Sequence, residues 1–224
     1  WPAGCAEVSV PAALSGLQVF YGGTFDPVHN GHIACADYVQ RECGLDTVRL
    51  MPCHLPPHRA TPGVSAEQRA AMVQLAIAGY PKLALERLEL DKQSPSYTVD
   101  SLQLLHQREP DSRFYFIIGM DSLCYFRQWK NWQRVLQLAH LLVCERPGYQ
   151  ATEGDAPFLL QQYGVADIAA LQQSAAGGIL LLDNPLFAVS ATDIRRQLQQ
   201  HSTAGSALDP AVLNYIQLQQ LYQA

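Results

Sequence analysis

The stretch 20-FYGGTFDPVHNGHI-33 decides how the rest of the chain is interpreted. It completes an apolar run, 17-LQVFYGG-23, that is typical of a buried strand ending in a Gly-Gly turn. From Asn30 onwards the apolar residues recur with the spacing of an amphipathic helix. The stretch therefore predicts a strand, a tight loop and a helix whose first N–H groups and positive dipole end face that loop.

The loop after the strand has the composition of a phosphate-binding pocket. Gly22 and Gly23 can adopt a positive φ and let the backbone approach a ligand closely. His29 and His32 are three residues apart, so both can lie on one face at the helix start, and Gly31 leaves room for a bulky group. These features predict hydrogen-bond donors aimed at phosphate oxygens, which can stabilise charge that develops there.

Other motifs compete for the same residues. The chain contains neither GxxxxGK[ST] nor GxGxxG, so it has neither a P-loop nor the dinucleotide-binding fingerprint. A zinc site would need a third ligand beside the two histidines, and His54 or His58 in the proline-rich loop 52–63 could supply one. The absence of HExxH weakens this hypothesis. A chance pair of histidines beside a simple turn is the remaining alternative.

Strand and helix patterns alternate along the chain, which predicts parallel βαβ units in a doubly wound α/β sheet. In such sheets ligands bind at the carboxyl ends of the strands. Ser65 and Gln68 form a capping box before one helix, Thr98 opens another, and Asp209-Pro210 begins the last one. The predicted strands are 17–23, 47–52, 82–90, 113–119, 140–146 and 179–183; the predicted helices are 30–43, 66–79, 99–109, short pieces within 121–138, 192–200 and 210–222.

The domain organisation follows from the same pattern. Residues 17–222 are predicted to form one domain with helices at its C-terminal end. Residues 1–16 have no place in the alternation and are interpreted as a leader or an expression remnant. Residues 147–178 are rich in Gln, Ala and Gly and are predicted to be a peripheral insertion with a helical patch around 157–173.

Composition excludes several classes of protein. A net charge of −5 argues against nucleic-acid binding through a basic surface, although local basic groups can still bind a small anion. No apolar run approaches the ~20 residues of a membrane helix, so no membrane partner is expected. The six cysteines contain no CxxC pair, which favours reduced thiols in the cytoplasm. The sequence leaves the oligomeric state open.

Two further loops fall at the same sheet edge. Gly119 and Asp121 directly follow the clearest buried strand; Gly119 leaves the backbone open to close approach, and Asp121 can accept hydrogen bonds or cap the next helix. In 190-SATDIR-195, Ser190 or Thr192 caps a helix, and the fork of Arg195, about one turn in, can bind a phosphate. An ordinary capped helix with a solvated arginine is the alternative.

These motifs carry a resemblance. The first stretch resembles the signature of the nucleotidyltransferase superfamily that shares an H-x-G-H motif, and the chain from 17 to 222 is similar to bacterial nicotinate-mononucleotide adenylyltransferases. The resemblance implies a Rossmann-like nucleotidyltransferase fold and an enzyme of NAD biosynthesis. It also rests on Trp129 and on the motifs 56-PPHR-59, 95-PSYT-98, 117-IIGMDSL-123, 141-LLVCERPGY-149 and 190-SATDIR-195.

The resemblance implies a reaction and its residues. The 5′-phosphate of nicotinate mononucleotide attacks the α-phosphorus of ATP, pyrophosphate leaves, and no covalent enzyme intermediate forms. Mg²⁺ is the expected cofactor, held by phosphates and water, and no protein metal site is implied. His29, His32 and Arg195 are the implied catalytic residues. The implied ATP-binding residues are Gly22, Gly23, Thr24, Phe25, His29, His32, Gly119, Asp121, Ser190, Ala191, Thr192 and Arg195.

The resemblance also implies an acceptor site. Tyr97, Thr98, Trp129 and His58 are the residues implied for nicotinate mononucleotide, because an aromatic face suits the pyridine ring and a helix start suits its carboxylate. One departure concerns Cys53, which stands where the family often has Asn, and a thiol cannot replace an amide's donor and acceptor. The role of Arg146 stays open.

Two alternative functions stay open. The acceptor could be phosphopantetheine or the amide mononucleotide, although PSYT and Trp129 argue against the former. The chain could also be a nucleotide-binding sensor that has lost its chemistry, although both phosphate-binding motifs are intact.

Overall fold

The computed structural model describes residues 16–54, 64–91, 95–200 and 205–223. Within them, seven strands form one sheet, and every neighbouring pair is parallel. This confirms the predicted doubly wound α/β fold. The strands are β1 Leu17–Gly23, β2 Val48–Pro52, β3 Leu83–Leu85, β4 Arg113–Gly119, β5 His140–Cys144, β6 Gly164–Val165 and β7 Ile179–Leu182.

The helices largely follow the predicted pattern. Ser65 and Gln68 form the expected capping box, and Asp209 caps the last helix with Pro210 in its first turn. Thr98 opens its helix as predicted: it is the first helical residue, and Tyr97 before it is the N-cap. The helices are α1 Asn30–Glu42, α2 Ala66–Ala76, α3 Thr98–Arg108, α4 Met120–Cys124, α5 Trp132–Leu138, α6 Ala156–Tyr163, α7 Ile168–Leu171, α8 Ala191–Gln199 and α9 Pro210–Leu218.

The strand order is β3-β2-β1-β4-β5-β7-β6. The chain moves outward from β1 to β3 and then returns to place β4 on the other side of β1. The direction of winding therefore changes between β1 and β4, and ligands bind outside the carboxyl ends of the strands at such a switch point. The loops after Gly23 and Gly119 both begin there.

Two apolar layers cover the sheet, one on each face. Because strand side chains alternate between faces, Val19 and Tyr21 of β1 point into one layer and Phe20 points into the other. The first layer packs the sheet against α1, α2, α8 and α9, and the second packs it against α3 to α6. The helices that carry the two predicted phosphate-binding motifs therefore share one face.

Residues 147–178 lie at one edge of the sheet. The predicted helical patch at 157–173 is wrong in detail, because α6 and α7 are separated by the short edge strand β6, which pairs with β7. Leu159 of α6 and Leu171 of α7 are fully buried, in opposite layers. The segment is thus attached to both faces of the sheet.

The predicted strand 82–90 is too long. β3 ends at Leu85, and the backbone after it turns, with Leu90 N–H donating to the carbonyl oxygen of Arg87. The carboxylate of Glu86, at the point where the strand ends, accepts from Arg108 at 2.6 Å. A buried carboxylate needs such a partner, so Glu86 stabilises the turn instead of a longer strand.

No helix in the described ranges is both long and apolar enough to cross a membrane.

Candidate active site

A cavity of about 1160 Å³ opens at the carboxyl ends of β1, β4 and β5. Among the residues predicted for the site, His58 lies outside the described ranges. All of the others line the cavity: Gly22, Gly23, Thr24, Phe25, His29, His32, Tyr97, Thr98, Gly119, Asp121, Trp129, Ser190, Ala191, Thr192 and Arg195. The fold thus assembles in one place side chains that are far apart in the sequence.

The glycines of the first loop act differently from the expectation of a positive φ. Gly22 and Gly23 are the last residues of β1, and the positive φ falls on Phe25 at 49°. A Cβ on Gly23 would lie 2.9 Å from Cζ of Phe25, and one on Gly22 would lie 2.6 Å from Cζ of Phe116. Aromatic rings of the protein itself therefore require these glycines.

The two histidines at the start of α1 stack on each other. Their ring centroids are 3.7 Å apart, with 24° between the ring planes. The backbone N–H of His29 donates to the ring atom Nδ1 of His32 at 3.3 Å. Because Nδ1 accepts, a neutral His32 carries its proton on Nε2. Gly31 makes the stack possible, since a Cβ there would lie 3.1 Å from Nδ1 of His29.

His29 is held in the neutral state. Only 5% of this residue is exposed, and burial, together with the positive charge of Arg146, lowers its pKa to about 4. Its Nδ1 atom has no hydrogen-bond partner among the described residues. At neutral pH a single ring N–H is therefore available for donation, and the other ring nitrogen can only accept.

The motif at 190–195 binds to the loop of the first motif. Ser190 caps α8 by accepting from the N–H of Asp193 at 3.4 Å. Arg195 donates through Nη1 to the carbonyl oxygen of Asp26 at 2.7 Å and through Nη2 to Oγ1 of Thr192 at 3.3 Å. The predicted capped helix is confirmed, and its arginine is ordered against the protein rather than solvated.

Asp26 makes a second contact, with Tyr222, that no motif in the sequence predicts. Its carboxylate is nearly buried and accepts from the hydroxyl of Tyr222 at 2.7 Å. Burial and the Asp26 charge raise the pKa of Tyr222, so this hydroxyl keeps its proton. The pair is separated by 196 residues, and no local pattern in the sequence marks it.

The loop after β4 brings Asp121 against Arg146. Asp121 does not cap α4, because the N-cap is Gly119 and no side chain caps the helix. Its Oδ1 atom lies 3.4 Å from Nε of Arg146. A Cβ on Gly119 would collide with Oδ1 of Asp121 and lie 2.8 Å from Nε of Arg146. Arg146, which follows β5, thus contributes a positive charge to the cavity. Its position directly after a predicted strand was the sequence feature that could have indicated this role.

Aromatic and basic side chains form another wall of the cavity. The ring of Trp129 packs on Phe126, with centroids 5.0 Å apart. The ammonium group of Lys130 lies 4.5 Å from the ring centroid of Tyr97. Thr98 stands in the first turn of α3, where backbone N–H groups have no partner within the helix. The wall can therefore offer a planar surface beside a site for an anion.

Buried Arg69 of α2 ties together the loops that follow β1 and β2. It donates to the carbonyl oxygen of Thr24 at 2.7 Å and to that of His54 at 3.0 Å, and it is 1% exposed. Cys53 lies between these loops, lines the cavity, and donates its N–H to the carbonyl oxygen of Gly23. Arg69 could not be predicted, because no local pattern distinguishes it from a surface arginine of an amphipathic helix.

The zinc hypothesis finds no support in the described ranges, where no three His, Cys, Asp or Glu side chains come together as a metal site. His58, one of its candidate ligands, is not among those residues. The stacked arrangement of His29 and His32 also differs from two rings that converge on one ion.

Comparisons with known proteins agree with this architecture. The family model described as cytidylyltransferase-like matches residues 20–197. A protein of Cronobacter sakazakii named "Probable nicotinate-nucleotide adenylyltransferase" is 44% identical over 214 residues, which are 94% of this chain and 97% of the relative. A Serratia proteamaculans protein of the same name is 42% identical over 211 residues, covering 92% and 96% of the two chains.

Solved structures share the fold. The Plasmodium falciparum nicotinic acid mononucleotide adenylyltransferase complexed with NaAD superimposes with a TM-score of 0.72 at 19% identity, over 92% of this chain and 97% of the other. At that identity the likeness concerns the fold alone, and the family follows from the sequence relatives and the family model. The chain belongs to the cytidylyltransferase-like family and, within it, to the nicotinate-nucleotide adenylyltransferases.

Proposed function

We propose that this protein transfers the adenylyl group of ATP to nicotinate mononucleotide, giving nicotinic acid adenine dinucleotide and pyrophosphate. The observation that carries the proposal is the hydrogen bond from Arg195 to the Asp26 carbonyl oxygen, which brings the two motifs predicted to bind phosphate to one cavity. The aromatic wall with Tyr97 and Trp129 belongs to the same cavity.

The phosphate groups of ATP would bind between the two motifs. His32 carries its proton on Nε2 when neutral, and neutral His29 has one ring N–H, so both rings contain a donor group suited to a phosphate oxygen once ATP is bound. Arg195 and Arg146 add two cations to a protein whose net charge is negative. The free N–H groups at the start of α8 favour an anion at the same place.

Adenosine would lie near the loop after β4. Gly119 presents bare backbone to the cavity, and Asp121 has oxygens that can accept from ribose hydroxyls. In this assignment Asp121 exchanges part of its contact with Arg146 for the ribose, and the guanidinium then turns towards phosphate oxygens. The assignment to ATP of Gly22, Gly23, Thr24, Phe25, Ser190, Ala191 and Thr192 rests on the same common cavity.

Nicotinate mononucleotide would occupy the wall formed by Tyr97, Thr98 and Trp129. The electron-poor pyridine ring suits an aromatic face, and its carboxylate suits the start of α3 with Lys130 nearby. That carboxylate distinguishes the acid from the amide mononucleotide. His58, proposed as a further contact, belongs to a loop outside the described ranges.

The chemistry would be a direct displacement. A phosphate oxygen of the mononucleotide attacks the α-phosphorus of ATP, the bond to the β-phosphate bridging oxygen breaks, and pyrophosphate leaves with that oxygen. Catalysis then depends on alignment and on donors that meet the developing charge. Loss of one preorganised donor of this kind typically lowers the rate by ~10²–10³.

Mg²⁺ is the proposed cofactor. Three of the carboxylates that line the cavity are engaged by the protein: Asp26 accepts from Tyr222, Asp193 accepts from Arg196, and Asp121 lies beside Arg146. This donor set fits an ion held mainly by phosphate oxygens and water, which is a common arrangement for Mg²⁺. The bound ion would neutralise charge on the phosphates, and the side chains of this protein would position them.

The proposed location is the cytoplasm. The described cysteines at 35, 43, 53, 124 and 144 are free thiols, which suits a reducing compartment.

The deciding experiment is a pyrophosphate-release assay with ATP and Mg²⁺ and, in turn, nicotinate mononucleotide, the amide mononucleotide and phosphopantetheine. We expect the highest kcat/KM with nicotinate mononucleotide and no release when EDTA removes the metal. A higher kcat/KM with either of the other acceptors would overturn the substrate assignment. A protein that binds ATP yet releases no pyrophosphate with any acceptor would instead be a nucleotide sensor.

A further inference from the structure

Two thiols meet at the wall of the cavity. Cys35 of α1 and Cys144, the last residue of β5, place their Sγ atoms 2.9 Å apart. They are 109 residues apart in the chain, and no CxxC motif links them. The proposed transfer reaction uses neither thiol, so their proximity calls for a separate explanation.

The pair is buried from bulk solvent but open to the cavity. Cys35 is 7% and Cys144 is 4% exposed, and both belong to the cavity lining. A small molecule that enters the cavity can therefore reach them. Formation of a disulfide requires sulfurs about 2.05 Å apart, so an approach of less than about 1 Å separates the two thiols from a bond.

The surroundings make the two thiols unequal. The hydrogen bond between Cys35 and Cys144 lowers the pKa of Cys35 against the opposing effect of burial, and the contact with Tyr21 and the charge of Arg146 lower it further. The pKa of Cys144 is raised, first by its contact with Cys35 and then by burial. Cys35 therefore has the stronger thiolate character, and the thiolate is the nucleophile in thiol chemistry.

We propose that Cys35 and Cys144 form an oxidisable dithiol, which a small two-electron oxidant of the peroxide class converts into a disulfide that stops adenylyl transfer. Cys35 attacks one oxygen of hydrogen peroxide, the O–O bond breaks, and Cys35 becomes a sulfenic acid as water leaves. The sulfur of Cys144 then attacks that sulfur, and its proton leaves with the sulfenic hydroxyl as a second water. Two thiols are oxidised by two electrons, and one peroxide is reduced.

The bond would act on the groups proposed for phosphate binding. Cys35 lies three residues after His32 on α1, and Cys144 lies two residues before Arg146. A disulfide would draw the start of α1 and the end of β5 together and would remove the thiol that Tyr21 contacts. A displacement near 1 Å at a reacting centre can cost ~10² in rate. This consequence rests on the proposed function, whereas formation of the bond does not.

The test treats the reduced full chain with hydrogen peroxide, blocks remaining thiols with iodoacetamide, and maps a protease digest by mass spectrometry without reduction. We expect one peptide pair joined through Cys35 and Cys144, two hydrogen masses lighter than the separate peptides. Pyrophosphate release should fall by at least ~10-fold in parallel with this species and should return after dithiothreitol. If Cys35 and Cys144 still react with iodoacetamide after the peroxide treatment, the proposal is overturned.

Two variants distinguish oxidation of the Cys35–Cys144 pair from oxidation of other residues. Cys144→Ser should form no cross-link and should resist the reversible loss of activity. Cys43→Ser is the matched control, because Cys43 follows the same helix and burial raises its pKa to about 11; this variant should behave like the wild type. Equal, reversible inactivation of Cys144→Ser would refute the regulatory effect. A reduced wild-type protein without any transferase activity would refute the proposed function. In that case the mapped cross-link would still show whether Cys35 and Cys144 form a disulfide.

Discussion

The guanidinium of Arg195 donates a 2.7 Å hydrogen bond to the carbonyl oxygen of Asp26, across 169 residues of sequence. Its second terminal nitrogen donates to Thr192, one turn earlier on α8. The arginine thereby fixes the loop between β1 and α1 relative to the helix start at Ser190. Each of the two predicted phosphate-binding motifs therefore positions the other.

Arg195→Lys keeps the charge but loses the fork that makes both contacts. We expect kcat to fall by ~10²–10³, because in the proposed mechanism the lost donor would act on the developing phosphate charge. The change in the free energy of unfolding should be smaller than the corresponding rise in the activation free energy. Steady-state pyrophosphate release measures the effect. Arg196→Lys is the matched control: the exposed side chain of Arg196 pairs with Asp193 but does not itself line the cavity, so this variant should leave kcat within about two-fold. Equal losses in the two variants would contradict the assignment.

Tyr222→Phe removes only the hydroxyl that donates to Asp26. A hydrogen bond to a buried carboxylate is typically worth about 1.5–3 kcal/mol, so we expect a loss of that order in the free energy of unfolding by urea. Because Asp26 also holds Arg195, KM for ATP should rise by more than KM for the mononucleotide. Tyr80→Phe, at an exposed position, should change neither quantity. A Tyr222→Phe variant with wild-type stability and kinetics would show that the Tyr222 hydroxyl does not support the site.

The stability of the protein should depend on His29 at mildly acidic pH. Its folded pKa is about 4, below the ordinary value of 6.5, so the unfolded state binds the proton first as pH falls. The contribution of neutral His29 to the free energy of unfolding is complete above pH 6.5 and is lost as the pH falls from about 6.5 to 4. Each pH unit in this range is worth up to about 1.4 kcal/mol. Urea unfolding of the wild type at pH 7 and pH 4.5 should differ by about 2 kcal/mol or more.

His29→Gln should remove a large part of that pH dependence. It should not remove all of it, because burial also lowers the pKa of His140, which acts with the same sign. Identical losses of stability on acidification in the wild type and in His29→Gln would show that the ring is not held neutral by the fold.

Gly119→Ala tests the close packing after β4. The added methyl group would collide with Asp121 and Arg146, so both side chains would have to move. We expect kcat/KM for ATP to fall by about 10-fold or more, while KM for the mononucleotide changes little. Gly79→Ala is the matched control, since a Cβ there meets no atom within 4 Å. Kinetics of Gly119→Ala that match those of Gly79→Ala would contradict the assigned role.

Trp129→Ala tests the acceptor wall. Loss of the ring should raise KM for nicotinate mononucleotide by about 10-fold, because a stacked aromatic pair contributes about 0.5–1.5 kcal/mol beyond its buried area. KM for ATP should stay within about two-fold. Trp132→Ala controls for general loss of packing, since Trp132 also contacts Phe126 but does not line the cavity. A larger rise in KM for ATP than in KM for the mononucleotide would show that Trp129 has been assigned to the wrong subsite.

The positions of the functional loops could be predicted because they follow local patterns. A buried apolar run ending at Gly23 or Gly119, followed by a helix start, determines a strand end with free N–H groups whatever the rest of the fold. The cap at Ser190 has the same local origin. The conformational role of the Gly-Gly pair was predicted wrongly, because the constraint comes from Phe25 and Phe116 packing on the strand, not from the turn itself.

The sequence alone determined the alternation of strands and helices, the sheet edge to which each motif belongs, and the side chains available there. Tertiary structure decided which of these side chains meet. The contacts of Arg195 and Tyr222 with Asp26, and of Cys35 with Cys144, join residues more than 100 positions apart. Such pairs depend on strand order and helix packing, which sum many long-range contacts, and no local periodicity encodes them.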